Sequence, residues 1–147
     1  SPVAQTLAEA IGARLAADGG AALSIDYGHL SSGFGDTLQA VARHEFANPL
    51  AEPGNADLTA HVDFASLAAA FVRGGARAHP VTTQGAFLRA LGVEARRARL
   101  VAGAPTEQAR EIDGAVARLI APDGMGSLFK VLGVTQSDLP APPGFGA

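Results

Sequence analysis

Apolar residues along this chain recur at two periods. In SPVAQTLAEAIGARLAADGG, Val3, Leu7, Ile11 and Leu15 fall four residues apart, which predicts a helix with that stripe as its buried face. Ser1 is placed to cap it, Pro2 suits the first turn, and Gly19 and Gly20 end it. AALSIDYG, residues 21–28, is a short apolar run with no helical period. It predicts a strand buried on both faces, with Asp26 at its C-terminal end, where α/β sheets place their chemistry.

Residues 31–60 are rich in Gly, Pro, Asn and Asp, and only TLQAVARHEF suggests a short helix or strand there. A loop of that length is usually functional or mobile. Asp63 then stands at a helix N-cap ahead of Phe64, Leu67, Phe71 and Val72, and Gly74 with Gly75 closes that helix. ARAHPV predicts a short strand, and TTQGAFLRALG a helix capped by Thr82 or Thr83 and stopped by Gly92. VEARRARLVAG continues as another helix. From Thr106, the spacing of Ala109, Ile112, Val116, Leu119 and Ile120 predicts a further helix that Pro122 stops. SLFKVLGV is the last strand, and the Pro/Gly-rich tail 135–147 should lie extended over the surface.

Strands and helices alternating at these lengths predict an α/β layered domain. About three strands are visible, which leaves the apolar ALSI strand with one unpaired edge and points to a missing neighbour on its N-terminal side. At 147 residues and 48% hydrophobic content, one domain is expected over 1–147. The formal charge of −3, with basic residues scattered except Arg96, Arg97 and Arg99, argues against nucleic acid as a partner. Without cysteine there is no disulfide, thiolate zinc site or thiol nucleophile. No apolar run reaches the length of about 20 residues that spans a bilayer, so no membrane partner is expected and the chain reads as soluble and unsecreted.

Four stretches together carry a family likeness: IDYGHL at 25–30, DLTAHVDF at 57–64, TTQGAFLRALG at 82–92, and MGSLFKVL at 125–132 with PPGF at 142–145. Their order and spacing resemble the C-terminal half of the MidA-like S-adenosylmethionine (SAM)-dependent methyltransferases. That resemblance implies part of a class I, Rossmann-like sheet with six parallel strands and one antiparallel. ALSIDYG would be the fifth strand, ARAHPV the sixth and SLFKVLGV the antiparallel seventh, with 82–122 a helical insertion before it. It also implies a protein substrate, and in the mitochondrial branch an arginine of a respiratory complex I subunit. The location implied is bacterial cytoplasm or mitochondrial matrix. SAM would be the cofactor of the full-length protein. The glycine-rich turn and acidic residue that hold it in such folds are not found here, so the fragment alone is expected to hold none. Gly33-Phe34-Gly35 follows no strand-to-helix turn and reads as a loop.

Methyl transfer chiefly demands positioning of the nucleophile, and an arginine acceptor calls for carboxylates facing its guanidinium. The candidate acceptor-side residues are Asp26, Tyr27, His29, Asp57, Thr59, His61 and Gln84. Each has a bland alternative. Asp26 forms a turn, Tyr27 is a surface ring, Asp57, Thr59 and His61 satisfy loop backbone, and Gln84 caps a helix. Asp63 is read as a cap, Lys130 as a solvated edge charge, Met125 and Phe129 as core, and the arginines at 96, 97 and 99 as a solvated face. His29, His44, His61 and His79 lack metal-binding spacing, so no metal is expected. The competing function is a non-catalytic assembly module that recruits another chain, or the missing N-terminal half, along the open strand edge.

Overall fold

In the computed structural model, which describes residues 1–33, 35–51 and 54–146, helix α1 (Pro2–Asp18) leads into strand β1 (Ala21–His29). Then follow β2 (Gln39–Ala42), β3 (Glu45–Ala47), β4 (Asp57–Thr59), β5 (Val62–Asp63) and α2 (Phe64–Arg73). The second half holds β6 (Arg77–Ala78), β7 (Thr82–Thr83), α3 (Gln84–Ala90), α4 (Val93–Ala102), α5 (Thr106–Ile120), α6 (Met125–Leu128) and β8 (Phe129–Thr135).

The main sheet runs β5-β1-β8-β6, with β7 also on β8. β1 and β8 pair antiparallel from Ala21↔Thr135 to Tyr27↔Phe129. On its other edge β1 meets only β5, in parallel, at Gly28↔Val62 and His29↔Asp63. Among the described residues no strand pairs that edge over Ala21–Tyr27. The sixth-strand segment is one edge strand with a bulge. His79 N donates to Gly133 O, Pro80 has no N–H to give, and the register slips by one residue between Ala78↔Val134 and Thr82↔Val131.

Alternation along β8 sends Leu132 and Val134 to one face, where Phe64, Phe71, Ala70, Ala8 and Leu15 form the core with α1 and α2. Val131, also fully buried, and Gly133 lie on the opposite face, where Phe145 covers Gly133 and stacks against Phe87 and His79 at centroid distances of 5.3 and 6.0 Å. The tail is thus anchored rather than simply extended. A turn, with Phe145 N donating to Pro142 O, drives that ring onto the sheet. His79 is buried with its Nε2 3.0 Å from Thr135 Oγ1. Burial first, then the charge of Arg77, lowers its pKa and keeps it neutral at pH 7.

Several expectations are corrected. On α1, Val3 and Leu7 are 79% and 60% exposed, while Ala8, Gly12 and Leu15 are buried. The helix turns its small residues inward because α2 approaches to backbone contact. A Cβ on Gly12 would stand 2.5 Å from Phe71 O, and one on Gly74 2.3 Å from Glu9 O. Val72 on α2 is likewise exposed, one position past the buried Phe71. β1 is not buried on both faces, since Leu23 and Ile25 are 51% and 47% exposed beside the free edge. Residues 39–59 hold a three-stranded antiparallel sheet, β3-β2-β4, with β2 in the centre, so DLT is a strand as well as the TLQAVARHEF region. The last strand begins at Phe129, because Ser127 and Leu128 close the short α6. Lys130 is no solvated edge charge. Its strand lies between β1 and β7, its amine donates to the carbonyls of Ser127 and Leu128, and burial lowers its pKa.

The helix pair makes a direct prediction. Gly74→Ala forces α1 and α2 apart and lowers unfolding free energy by about 1–3 kcal/mol, whereas Gly103→Ala, whose Cβ enters open space, leaves the urea midpoint unchanged or higher. Equal midpoints for the two variants contradict the close packing.

Candidate functional site

The C-terminal end of β1 stays in place because β5 folds back onto it. That return requires Gly28, where a Cβ would lie 2.2 Å from Val62 O and 3.0 Å from the Phe64 ring. Tyr27, next in line, meets two rings edge-on: Phe129 of β8 at 5.7 Å and 87°, and His61, just before β5, at 5.7 Å and 65°. Segments far apart in sequence therefore converge on one tyrosine.

His29 stands opposite Asp63 in the parallel pairing. Asp63 Oδ1 accepts from Ser66 N at 3.0 Å, the helix cap expected of it. Its Oδ2 accepts from Ser66 Oγ at 2.8 Å and from Ser32 Oγ at 2.6 Å. Burial opposes the charge, but Ser32, the two donors of Ser66 and nearby His29 together outweigh it and hold the carboxyl at about 2. Two clefts border this group. One of ≈ 370 Å³ is lined by His29, Ser31, Gly33, Gly35, Thr37 and Asp63. The other, ≈ 250 Å³, includes Gln5, His61, Asp63, Ser66 and Leu67.

Of the sequence candidates, Tyr27, His29 and His61 come together here. Asp26 sits one residue before Tyr27, half-buried, with Oδ1 accepting from Tyr27 N at 2.8 Å and Oδ2 without a partner among the described residues. Asp57 and Thr59 are carried on β4, paired with Val41 and Gln39, and line neither cleft. Gln84 lies on the far side of β8 from β1, buried, with Nε2 donating to Leu119 O at 2.9 Å; it braces α3 against α5. Ser32 and Ser66 were not foreseen. Ser66 is readable as the third residue after a capping Asp, but nothing local marks Ser32, 31 residues upstream of its partner.

His44 occupies the β2–β3 turn at φ 67, and His79 is engaged with Thr135. Among the described residues no three His, Asp or Glu converge as metal ligands. Phe34 lies outside the described residues. The chain after Gly35 runs on to β2, not into a helix N-terminus of the kind that holds phosphate in dinucleotide-type folds. Met125 and Phe129 are half-buried. Arg97 pairs with Asp113, while Arg96 and Arg99 lie on the exposed face of α4.

Because the Asp63 pKa is depressed on folding, its stabilisation is complete above the unfolded value near 3.8 and is lost as pH falls through about 2. Asp63→Ala therefore costs about 1–2 kcal/mol at pH 7, and the gap from wild type narrows between pH 4 and 2. Urea titrations across that range check it; a gap constant with pH contradicts it.

Comparison with known proteins now adds to this geometry. Residues 1–82, up to the start of α3, match the sequence profile of a family of S-adenosyl-L-methionine-dependent methyltransferases. A Drosophila melanogaster protein, "Protein arginine methyltransferase NDUFAF7 homolog, mitochondrial", is 40% identical over 129 residues, 87% of this chain and 29% of its own length. The Homo sapiens protein arginine methyltransferase NDUFAF7, mitochondrial, is 38% identical over 95 residues, 65% of this chain and 21% of that protein. A crystal structure of a COG1565 superfamily protein from Burkholderia thailandensis superposes with a TM-score of 0.79 at 30% identity, covering 96% of this chain and 39% of that one. A COG1565 superfamily member from the same organism, bound to S-adenosyl-homocysteine, gives 0.77 at 30% identity, covering 96% and 38%.

Proposed function

Since this chain belongs to the MidA-like family of SAM-dependent methyltransferases and carries part of their Rossmann-like fold, we propose that it forms the acceptor side of such an enzyme, acting on a protein arginine. The observation that carries this reading is the meeting of Tyr27 with His61 and of His29 with Asp63 at the end of β1, where His29, His61 and Asp63 line two clefts, on a strand whose edge away from β8 is otherwise unpaired among the described residues. In open α/β sheets that is where substrates meet. The arginine acceptor is supported by relatives named protein arginine methyltransferases, of whose length this chain spans 29% in the fly protein and 31% in the Danio rerio protein.

When bound, SAM supplies an electrophilic methyl group; this chain's residues orient the nitrogen that receives it. In this reading the donor is held by residues upstream of this chain, which has no turn suited to it among its described residues. Tyr27 and His61 form an aromatic wall that fixes the approach of the acceptor side chain. An arginine of a respiratory complex I subunit is the finer form of the proposal. A location in the mitochondrial matrix is supported by relatives named mitochondrial, with the cytoplasm its bacterial counterpart.

Calorimetry with SAM tests the division of labour. The chain alone is expected to give no saturable heat, and the same chain joined to its upstream remainder to bind the donor and methylate protein arginine. There, His61→Ala lowers kcat/KM at least about tenfold with donor affinity kept. Saturable binding by the chain alone, or a full-length protein that binds SAM but modifies no arginine, contradicts the proposal. The second reading, a non-catalytic module, draws on the free edge of β1 with Leu23 and Ile25 exposed beside it. It predicts capture of a partner strand by the full-length protein with no donor binding.

A further inference from the structure

Asp63 is engaged beyond what a helix cap requires. One backbone donor satisfies the cap, yet both hydroxyls, of Ser66 and Ser32, converge on the second carboxylate oxygen, and lie 3.3 Å from each other. Ser66 belongs to the same helix, so its bond holds nothing distant. Ser32 is different, because it stands where the chain leaves β1 toward the small three-stranded sheet.

Among the described residues, Ser32 supplies the only hydrogen bonds from 31–38 to the rest of the molecule. Asp36 bonds only locally, accepting from Leu38 N. The neighbours of Ser32, namely Ser31, Gly33, Gly35 and Thr37, line the ≈ 370 Å³ cleft opposite His29 and Asp63. A stretch with two glycines has little stiffness of its own. One wall of the cleft is therefore fixed by sheet pairing at His29↔Asp63, and the other by one hydroxyl donating to an ionised carboxylate, a stronger bond than one between neutral groups. With both oxygens occupied, Asp63 is poorly placed to hold an acceptor guanidinium itself; its part is to hold the wall.

We propose that Ser32 is a positioning residue of the acceptor site: by donating to Asp63 it clamps Ser31, Gly33, Gly35 and Thr37 against the end of β1 and the start of α2, and so fixes the shape of the cleft beside His29, one of the two clefts on the acceptor side. The role rests on the acceptor-side reading above. It acts on acceptor binding and not on the donor, which touches neither residue in that reading.

The test uses the full-length enzyme with its donor, comparing wild type with Ser32→Ala and Ser32→Thr. Ser32→Ala is expected to raise the KM for the acceptor protein about tenfold while kcat changes by less than about twofold. SAM affinity by calorimetry stays the same, and amide exchange over 35–38 accelerates. Ser32→Thr, which keeps the hydroxyl, restores KM and slow exchange. An unaltered KM in Ser32→Ala, or a Thr variant as impaired as the Ala variant, overturns the positioning role alone. A wild-type enzyme that methylates no protein arginine overturns the acceptor-side reading and the positioning role with it.

Discussion

The antiparallel ladder from Ala21↔Thr135 to Tyr27↔Phe129 joins the two ends of the chain, and the remaining elements depend on it. It places Leu132 and Val134 under α1 and α2, and turns Val131 and Gly133 toward Phe87 and Phe145, so that both layers are built on one strand. Such pairing between distant segments forms only once a long loop has closed, and the loss of chain entropy is offset by burial on both faces of β8. β1 receives no such double cover. One edge is paired with β8 from Ala21 to Tyr27, and the other, among the described residues, only where β5 returns at Gly28 and His29.

That asymmetry explains where the candidate side chains gather. At Gly28 the absence of a side chain lets the backbone of Val62 come close, and the return brings His61 to Tyr27 and Asp63 to His29. The carboxylate at the turn into α2 then serves as a junction of helix cap, sheet end and loop root. Its low pKa reflects donors that outweigh the cost of burial, a balance that keeps it charged across the physiological range. The exposed apolar pair Leu23 and Ile25 lies earlier on the same strand, along the stretch whose edge is unpaired among the described residues.

Most of the element order was legible because local signals mark it. Asp63 and Thr83 cap as expected, and the helices from Gln84 to Ile120 begin and end near their Gly and Pro markers. What stayed hidden depends on tertiary contact. The apolar stripe of α1 looked like its buried face, yet backbone contact with α2 selects the small residues Ala8 and Gly12. The β2–β3 hairpin turns on Arg43 and His44, both at positive φ, where the usual Asn-Gly signal is missing. Of the cluster at the end of β1, Tyr27, His29 and His61 were readable as candidates from their place at a strand end and in DLTAHVDF. The Ser32 contact was not, since no spacing rule links residues 31 apart, and Gln84 was misleading because a side-chain amide at a helix start serves bracing as well as binding.

The central claim is that the free edge of β1 is the side of an interior strand, completed by a neighbour encoded upstream. Amide hydrogen exchange read residue by residue over Ala22–Tyr27 tests it most directly. The account predicts that amides pointing away from β8 exchange fast in this chain alone and become as protected as those facing β8 once the upstream residues are present. Fast exchange at those amides in the full-length protein would contradict it.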